Sequence, residues 1–345
     1  MPTVNDIARV AGVSLATVDR VLNARPGVRS QTIEKVNRAI AELGYVRDTA
    51  AANLARKRLY RLCFIVPEST NEFMIALSSA IAEQGAKLVH QRTTLQSVSV
   101  PPFDPRAVVD ALDALDPETT DGVAVIGVET PSVRDAVKRV RAKGIAVVAL
   151  VSDLPSSERD HFVGIDNIAA GRTAARLMGR FIRREGRVLV ITGSRLARDH
   201  LERRKGFDAL MAEEFPNLEV VASIEGRDDP ELIREMLPDI FAAYPDLRGI
   251  YSSAAGNPGL IHFLQTTGPH DDLAVVAHEL TPASHTALEA GTFDAIINQD
   301  TGHIVRSATR LLRATLDRVP FDDTQERIRI DIYLKENLPL QGGHT

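Results

Sequence analysis

The sequence has no tryptophan, a single cysteine and only 5% aromatic residues among its 345 positions. One cysteine excludes an intrachain disulfide framework and any cysteine-rich zinc site. So few aromatic side chains argue against a broad stacking platform for single-stranded nucleic acid. No stretch approaches the roughly 18 uninterrupted apolar residues that a membrane-spanning helix needs. The first ten residues, MPTVNDIARV, lack the apolar core of a secretory signal, so we expect a cytoplasmic protein that does not associate with membranes.

Signatures of catalysis and metal binding are also missing. The sequence contains no G-x-x-x-x-G-K-[ST] phosphate loop and no G-x-S-x-G nucleophile elbow. Its nine histidines show no zinc-binding spacing. We therefore predict no metal, no cofactor and no enzymatic activity.

The net charge of −5 conceals a strong asymmetry along the chain. Residues 1–61 carry eleven Lys or Arg against five Asp or Glu, a net charge of +6, whereas the remainder carries −11. A basic head on an acidic body is typical of a polyanion-binding module fused to a domain of another kind. A chance basic helical face is the alternative that charge alone leaves open.

Three short amphipathic helices are predicted in the basic head. A capping-box pattern, Thr3 with Asp6, opens the first helix, and Gly12 separates it from a second helix at 15–22. The third helix is predicted over 31–43. Two short helices joined by a glycine turn, with a third packed across them, are typical of a helix-turn-helix DNA-binding domain. Spacing alone also fits a generic three-helix bundle.

The residues themselves favour the first interpretation. The segment DIARVAGVSLATVDRVLN, the RPGV turn after it and the ELGY that ends the third helix closely resemble the DNA-binding head of the lactose-repressor (LacI/GalR) family of bacterial regulators. The resemblance implies that residues 1–46 bind double-stranded operator DNA. It assigns base contacts to Leu15, Ala16 and Arg20, with the arginine suited to guanine. The other head residues that it places against DNA are Thr3, Thr17, Asn23, Arg29 and Thr32.

Residues 47–60 resemble the hinge helix and linker of the same family. The segment is too short and too poor in core-forming residues to be a stable helix alone. The resemblance implies that it folds on the operator, where Leu54 wedges between base steps in the minor groove beside Ala51. A plain flexible connector is the alternative.

From residue 61 onward, short apolar runs alternate with amphipathic helical patterns. The predicted strands are 62–66, 122–128, 145–151, 187–192, 218–223, 248–252, 273–277 and 294–298. Such an alternation predicts parallel sheets covered by helices on both faces, and the length favours two α/β lobes. Ligands of these folds bind beyond the carboxyl ends of the strands.

This region resembles, more loosely, the periplasmic sugar-binding-protein fold, and in particular its ribose-binding branch. The resemblance implies an N-lobe of residues 61–161 and 293–323 and a C-lobe of residues 162–292 and 324–345. It also implies a sugar or polyol between the lobes. The ligand-binding candidates, each a polar or aromatic residue near a strand end or a family motif, are Asn71, Phe73, Asp153, Arg203, Asn257, Glu279 and Gln299.

We therefore predict a DNA-binding transcription regulator, most simply a repressor, that binds a pseudo-palindromic operator as a homodimer and responds to a small effector. A tetramer is the other assembly that the sequence allows. Two alternatives without a DNA role are a sugar-binding protein and a doubly wound α/β enzyme.

Overall fold

The computed structural model describes residues 2–22, 26–45, 58–68, 71–267 and 272–339. The chain separates into two compact units, Met1–Arg58 and Leu59–Thr345, here called the head and the body. Within the described residues no helix is long and apolar enough to span a bilayer. The predicted contacts of Asn23, Ala51 and Leu54, and most of the predicted hinge, lie outside the described residues.

The head consists of three helices, α1 (Val4–Ala11), α2 (Leu15–Leu22) and α3 (Ser30–Leu43). Side chains from all three meet in a small core of Ile7, Val18, Val36 and Ala39.

Local sequence signals determine where the helices of the head begin and end. Thr3 and Asp6 form the predicted capping box on α1. Gly12 and Gly44 end α1 and α3 in the left-handed conformation, with φ of 66° and 58°, which costs glycine least. Ser14 accepts a hydrogen bond from the Thr17 N–H at 3.2 Å and so caps α2.

The N-lobe of the body is built on a five-stranded parallel sheet with strand order β2–β1–β3–β4–β5. Its strands are β1 (Tyr60–Pro67), β2 (Thr93–Val100), β3 (Gly122–Val125), β4 (Ala146–Leu150) and β5 (His161–Val163). The intervening helices are α4 (Glu72–Leu88), α5 (Pro105–Asp113) and α6 (Pro131–Ala142).

The C-lobe is built on a seven-stranded sheet with strand order β12–β11–β10–β9–β6–β7, and β8 also pairs with β6. Its strands are β6 (Gly186–Thr192), β7 (Leu218–Val220), β8 (Ile224–Glu225), β9 (Leu247–Ser252), β10 (Ala274–His278), β11 (Ala295–Asn298) and the antiparallel β12 (Asp331–Tyr333). The remaining helices are α7 (Asn167–Phe181), α8 (Arg198–Glu214), α9 (Pro230–Ala243), α10 (Asn257–Thr266), α11 (Pro282–Glu289), α12 (Thr301–Asp317) and α13 (Asp323–Glu326).

The predicted class, a helical head and two α/β lobes with parallel sheets, is confirmed. Strand β2 was not predicted because its sequence, TTLQSVSV, has no apolar run. Most of its side chains are at least partly exposed, since β2 is an edge strand. The short β5, β8 and β12 likewise lack an apolar run long enough to detect.

The predicted lobe boundary between residues 292 and 293 is wrong. Strand β11 pairs with β10, so the chain stays in the C-lobe until Asn298 and enters the N-lobe with α12, which packs against α4 and β4. The run DAIIN identifies a buried strand but carries no information about which sheet it joins. The boundary therefore falls about six residues later than the resemblance implied.

Helices α7 and α8 pack with their backbones in direct contact, and two glycines allow this. A Cβ added to Gly171 would lie 1.9 Å from the Arg203 carbonyl oxygen, and one added to Gly206 would lie 2.1 Å from that of Ile168. This close approach determines the position of Arg203 on α8, because the Arg203 backbone itself makes one of the two contacts.

We expect Gly206→Ala to destabilise the body by at least about 1–3 kcal/mol, because the new methyl group must push two helix backbones apart. The control is Gly85→Ala in α4, where an added Cβ meets Leu95 at an ordinary 3.5 Å and the loss of glycine's flexibility favours folding. Thermal unfolding of the full chain should show a lower melting temperature for the first variant and an equal or higher one for the second. A Gly206→Ala variant with the same melting temperature as the native protein would contradict the close contact between α7 and α8.

Candidate functional sites: a recognition helix and an interlobe cleft

The exposed side of α2 carries the residues predicted to read bases. Leu15, Ala16 and Arg20 are exposed, and Leu15 is 50% exposed although it is a large apolar residue. Val18 on the opposite side is fully buried. The helix therefore presents an apolar and cationic surface to the solvent, which is the arrangement that base contact in a major groove requires.

The remaining head candidates that the structure describes lie on the three helices or immediately before them. Thr3 donates its hydroxyl to Asp6 at 2.8 Å, and the Thr17 hydroxyl lies 2.9 Å from that of Ser14. Arg29 is exposed at the N-cap position of α3, and Thr32 is half-buried one turn later.

In the body, Arg203 is the centre of a buried polar network. Its side chain is 3% exposed, and its Nε donates to Asn167 Oδ1 at 2.9 Å. Its Nη1 donates to the Ser253 carbonyl oxygen at 2.9 Å, and its Nη2 lies 3.6 Å from Glu279 Oε1. The guanidinium thus joins α7, the end of β9 and the end of β10. Asn167 thus holds Arg203 in place, and Asp166 caps α7.

Glu279 and Gln299 follow neighbouring strands and meet in this network. Gln299 Nε2 donates to Glu279 Oε1 at 2.8 Å. Burial raises the pKa of the Glu279 carboxyl, although Arg203 and Gln299 both act to lower it. Among the described residues, no hydrogen-bond partner lies within reach of Glu279 Oε2 or Gln299 Oε1. Two buried acceptors are therefore left to accept hydrogen bonds from a ligand.

Asn257 supports the network. Its Nδ2 donates to the His278 carbonyl oxygen at 3.0 Å, and its Oδ1 accepts from the Ser252 hydroxyl at 2.7 Å. The His278 ring lies 2.8 Å from the Tyr251 hydroxyl through Nε2, and burial lowers the pKa of this histidine well below its usual value. The imidazole is therefore neutral, so it adds no positive charge near Arg203.

Asn71 and Phe73 approach the same region from the N-lobe. Asn71 caps α4 through Oδ1, which accepts from the Phe73 N–H at 2.8 Å, and its Nδ2 reaches Asp228 Oδ2 in the C-lobe at 3.4 Å. Phe73 is only 7% exposed and belongs to a core cluster with residues from both lobes. It also lines the cleft.

The interlobe cleft contains three adjoining cavities. The polar chamber is lined by Asn71, Phe73, Asp228, Asn257 and Glu279, among others, and Gln299 lines a neighbouring cavity together with Phe73 and Glu279. The apolar chamber takes most of its wall from the N-lobe, including Met74, Val100, Pro102, Phe103, Val108 and Val128. In the described part of the chain, Arg203 lines neither chamber. Its role is therefore to position groups such as Glu279 that do.

Asp153 does not join the site. Its carboxylate pairs with Arg159 through both oxygens, and Asp153 is not among the residues lining either chamber in the described chain. It follows β4, as the prediction required, but the following loop turns it towards Arg159.

Sequence reasoning missed Asp199 and His200, which lie in the first turn of α8 and line the apolar chamber. His200 Nδ1 accepts from the Ser194 N–H at 3.1 Å, and its Nε2 lies 3.6 Å from Asp199 Oδ2. Burial acts to raise the pKa of Asp199, but His200, Arg203 and hydrogen bonds that include one with Ser152 together leave this pKa below its usual value. A polar pair at the start of the helix that follows a buried strand was the available signal. Among the described residues, no cluster of three potential ligands could hold a metal ion.

Left-handed backbone is concentrated around the cleft. Phe103 (φ 55°), Val151 (φ 60°), Asp228 (φ 60°) and Glu279 (φ 68°) are all non-glycine residues that line one of the chambers. This conformation costs of order 1–3 kcal/mol in a β-branched or bulky residue, and such strain is concentrated at functional sites.

Two families match the two units. Residues 3–48 match the bacterial regulatory proteins of the lacI family, and residues 62–318 match the periplasmic binding protein domain. The chain is 26% identical to the ribose operon repressor of Halalkalibacterium halodurans over 100% of its own length and 99% of that protein. It is 27% identical to the transcriptional regulator DegA of Bacillus subtilis over 50% of each chain.

Solved structures support the fold of the body. A solute-binding protein of Burkholderia graminis in complex with D-arabinose superposes with a TM-score of 0.72 at 24% identity, covering 80% of this chain and 96% of that one. GanP, a glucose-galactose binding protein of Geobacillus stearothermophilus, superposes with a TM-score of 0.73 at 20% identity, covering 82% and 100%. The chain belongs, by residues 62–318, to the periplasmic binding protein domain family, and its head is a domain of the lacI family of bacterial regulatory proteins.

We expect Arg203→Met to lower the free energy of unfolding by about 3–5 kcal/mol at pH 7.5, because it leaves Glu279 and Asn167 buried without their partner. The loss should be smaller at pH 5. Without the guanidinium, burial raises the folded-state pKa of Glu279 further above its unfolded value near 4.5. A raised folded-state pKa gives stability at low pH that is lost as the pH rises through it.

Urea unfolding of the full chain at both pH values measures these effects. The control is Arg204→Met, one residue along α8. The Arg204 guanidinium pairs with Asp208 at the surface, so its loss should lower the free energy of unfolding by less than about 1 kcal/mol. Equal losses for the two variants, or a loss for Arg203→Met that grows at pH 5, would contradict this account of the network.

Proposed function

We propose that the protein is a cytoplasmic repressor of genes for carbohydrate uptake or catabolism. It binds a pseudo-palindromic operator as a homodimer, and a sugar-like effector raises or lowers its affinity for that operator. The observation that carries this proposal is the combination, in one chain, of an exposed recognition helix and a cleft with two unmatched buried acceptors. The relatives reported above are transcription regulators, and we assign the chain no catalytic reaction.

DNA recognition is assigned mainly to α2. Arg20 presents a guanidinium fork that suits the O6 and N7 atoms of guanine, and Leu15 and Ala16 offer only apolar contact, such as with a thymine methyl group. Contacts that position the head on DNA are assigned to the other polar candidates, namely Thr3, Thr17, Asn23, Arg29 and Thr32. Ala51 and Leu54 are assigned to the minor groove between the two heads of a dimer.

The effector is assigned to the cleft, and its chemistry follows from the cleft's charges. Glu279 Oε2 and Gln299 Oε1 accept hydrogen bonds from hydroxyl groups, while the Phe73 ring offers an apolar face. Asp199 and Asp228 add further negative charge, and Arg203 already donates to protein partners. A neutral polyhydroxylated ligand fits these groups, whereas the carboxylates disfavour a sugar acid or sugar phosphate.

The effector acts by favouring one arrangement of the lobes. Side chains already reach across the cleft, as in the Asn71–Asp228 hydrogen bond and the ion pair of Arg198 with Glu129 at 2.7 Å. A ligand that contacts both lobes stabilises the arrangement that makes those contacts. By linkage, its affinity for the protein and the protein's affinity for the operator must then depend on each other.

We expect Arg20→Ala to reduce discrimination between the preferred DNA site and a scrambled one by about 5- to 150-fold, because a bidentate guanine contact contributes about 1–3 kcal/mol of discrimination. The preferred site is first obtained from a random pool of double-stranded DNA by selecting the sequences that bind the full chain. Affinities for both DNAs are then measured at one fixed salt concentration.

Arg38→Ala is the matched control, since Arg38 is an exposed arginine on α3 and its loss changes the net charge equally. It should weaken binding to both DNAs by a similar small factor. Failure to select any site would contradict the proposed function. Equal effects of the two substitutions on discrimination would contradict the role of Arg20.

A further inference from the structure

Carboxylates dominate the charge of the three cavities in the cleft. Those that line a cavity belong to Glu72, Asp104, Asp199, Asp228, Glu279, Asp300 and Asp331. Among the described residues, no lysine or arginine lines any of the three. The body residues outside the described ranges, 69–70, 268–271 and 340–345, contain no lysine or arginine either. A cleft lined by charge of one sign concentrates ligands of the opposite sign.

The neighbouring cavity that Gln299 lines has the most carboxylates of the three. It is here called the acidic cavity, and its carboxylates are those of Glu72, Glu279, Asp300 and Asp331. Its volume is about 260 Å³, against about 70 and 40 Å³ for the apolar and polar chambers. This volume is close to the lower end of the range of small-molecule sites, roughly 300–1,000 Å³. The acidic cavity is therefore large enough for part of a small ligand.

Arginines of the protein offset only part of this charge. Glu279 and Asp300 each have an arginine within ion-pair distance, at 3.6 and 3.4 Å respectively. In the described part of the chain, Glu72 and Asp331 form no ion pair. The acidic cavity thus keeps negative charge that no group of the protein neutralises.

Repulsion between carboxylates is evident at Asp331. Burial raises the pKa of its carboxyl, and the charge of Asp300 raises it further, although Arg329 and His303 act to lower it. Burial likewise raises the pKa of the Tyr333 hydroxyl, and Asp331 and Asp300 add to that effect. The acidic cavity therefore favours a cation over a neutral group, because a cation offsets this repulsion.

Two buried acceptors indicate where such a cation binds. Glu279 Oε2 and Gln299 Oε1 have no hydrogen-bond partner among the described residues, and both side chains line the acidic cavity. The Glu279 side chain is 9% exposed and Gln299 is 2% exposed. Buried polar atoms are normally satisfied, so two unmatched acceptors at one cavity point to a ligand that donates. An ammonium group donates three hydrogen bonds and accepts none, and it carries the charge that the carboxylates lack.

We infer that the effector carries a protonated amino group, which takes the place of one sugar hydroxyl and binds in the acidic cavity. The ligand class is thus an amino sugar or an amino polyol, in preference to a neutral or an acidic sugar. The inference rests on the proposed function, since it takes the effector to be sugar-like and to bind in the cleft.

The test is a titration of the full chain by calorimetry at about pH 6.5, where most of an amine with a pKa near about 7.7–8.0 is protonated. The probes are D-glucosamine, D-galactosamine, D-mannosamine and 1-amino-1-deoxy-D-glucitol. Each is compared with its N-acetyl derivative and with the sugar or polyol that has a hydroxyl in place of the amine. The preferred amine should bind about tenfold or more tighter than either counterpart, because hydrogen bonds to charged groups are stronger than neutral ones by about that factor.

The outcomes separate this inference from the proposed function. A hydroxyl or N-acetyl counterpart that binds as tightly as the amine, or more tightly, would overturn the inference and leave the sugar-like effector standing. If no compound of the three kinds bound, the inference and the sugar-like effector of the proposed function would both fail.

Variants of the acidic cavity locate the amino group. Asp331→Asn and Glu72→Gln each remove one negative charge at nearly constant shape, so each should lower the amine-to-hydroxyl affinity ratio several-fold. The control is Asp239→Asn, which removes the same charge at an exposed position of α9. Asp239 is not among the described residues that line the three cavities, so this variant should keep the native ratio. Melting temperatures establish that all three variants fold, and native ratios in both folded cavity variants would overturn the inference.

Discussion

The buried guanidinium of Arg203 is the interaction on which the cleft depends. It contacts Asn167 on α7, the backbone after β9 and the carboxylate after β10, so one side chain fixes three separate segments of the C-lobe. It reaches them only because Gly171 and Gly206 let two helix backbones touch. A buried cation without these partners would cost several kcal/mol, and the network therefore permits little variation in geometry.

The network also explains why we propose hydroxyl donors as the ligands of the cleft. Arg203 and Gln299 both act on Glu279 Oε1, which leaves Glu279 Oε2 and Gln299 Oε1 available as acceptors. Their rigid placement lowers the entropy cost of binding, since few side chains need to be ordered by the ligand. Contacts from the N-lobe, such as that of Asn71 with Asp228, complete the cleft only when the lobes are close. We therefore expect lobe position and the proposed ligand binding to be coupled.

Much of the fold and of the candidate site could be predicted from the sequence. What could not be predicted has physical reasons. Caps and glycines are local signals, so the head helices and the exposed side of α2 were predictable from Thr3, Gly12 and Ser14. Buried strands were visible as apolar runs, but their pairing is a tertiary property, and so β11 was assigned to the wrong lobe. Polar residues after strands were sound candidates as a class. Only packing distinguishes Glu279, aimed into the cleft, from Asp153, paired with Arg159.

The central claim is that one chain couples a ligand in the body to DNA bound by the head, and reciprocity tests it most directly. The affinity of the full chain for its selected DNA site would be measured with and without a saturating bound sugar, and the affinity for the sugar with and without DNA. The account predicts that both affinities change by the same factor, in the range of about 5- to 150-fold, as linkage demands. A sugar that binds the cleft and leaves the DNA affinity unchanged would contradict the account.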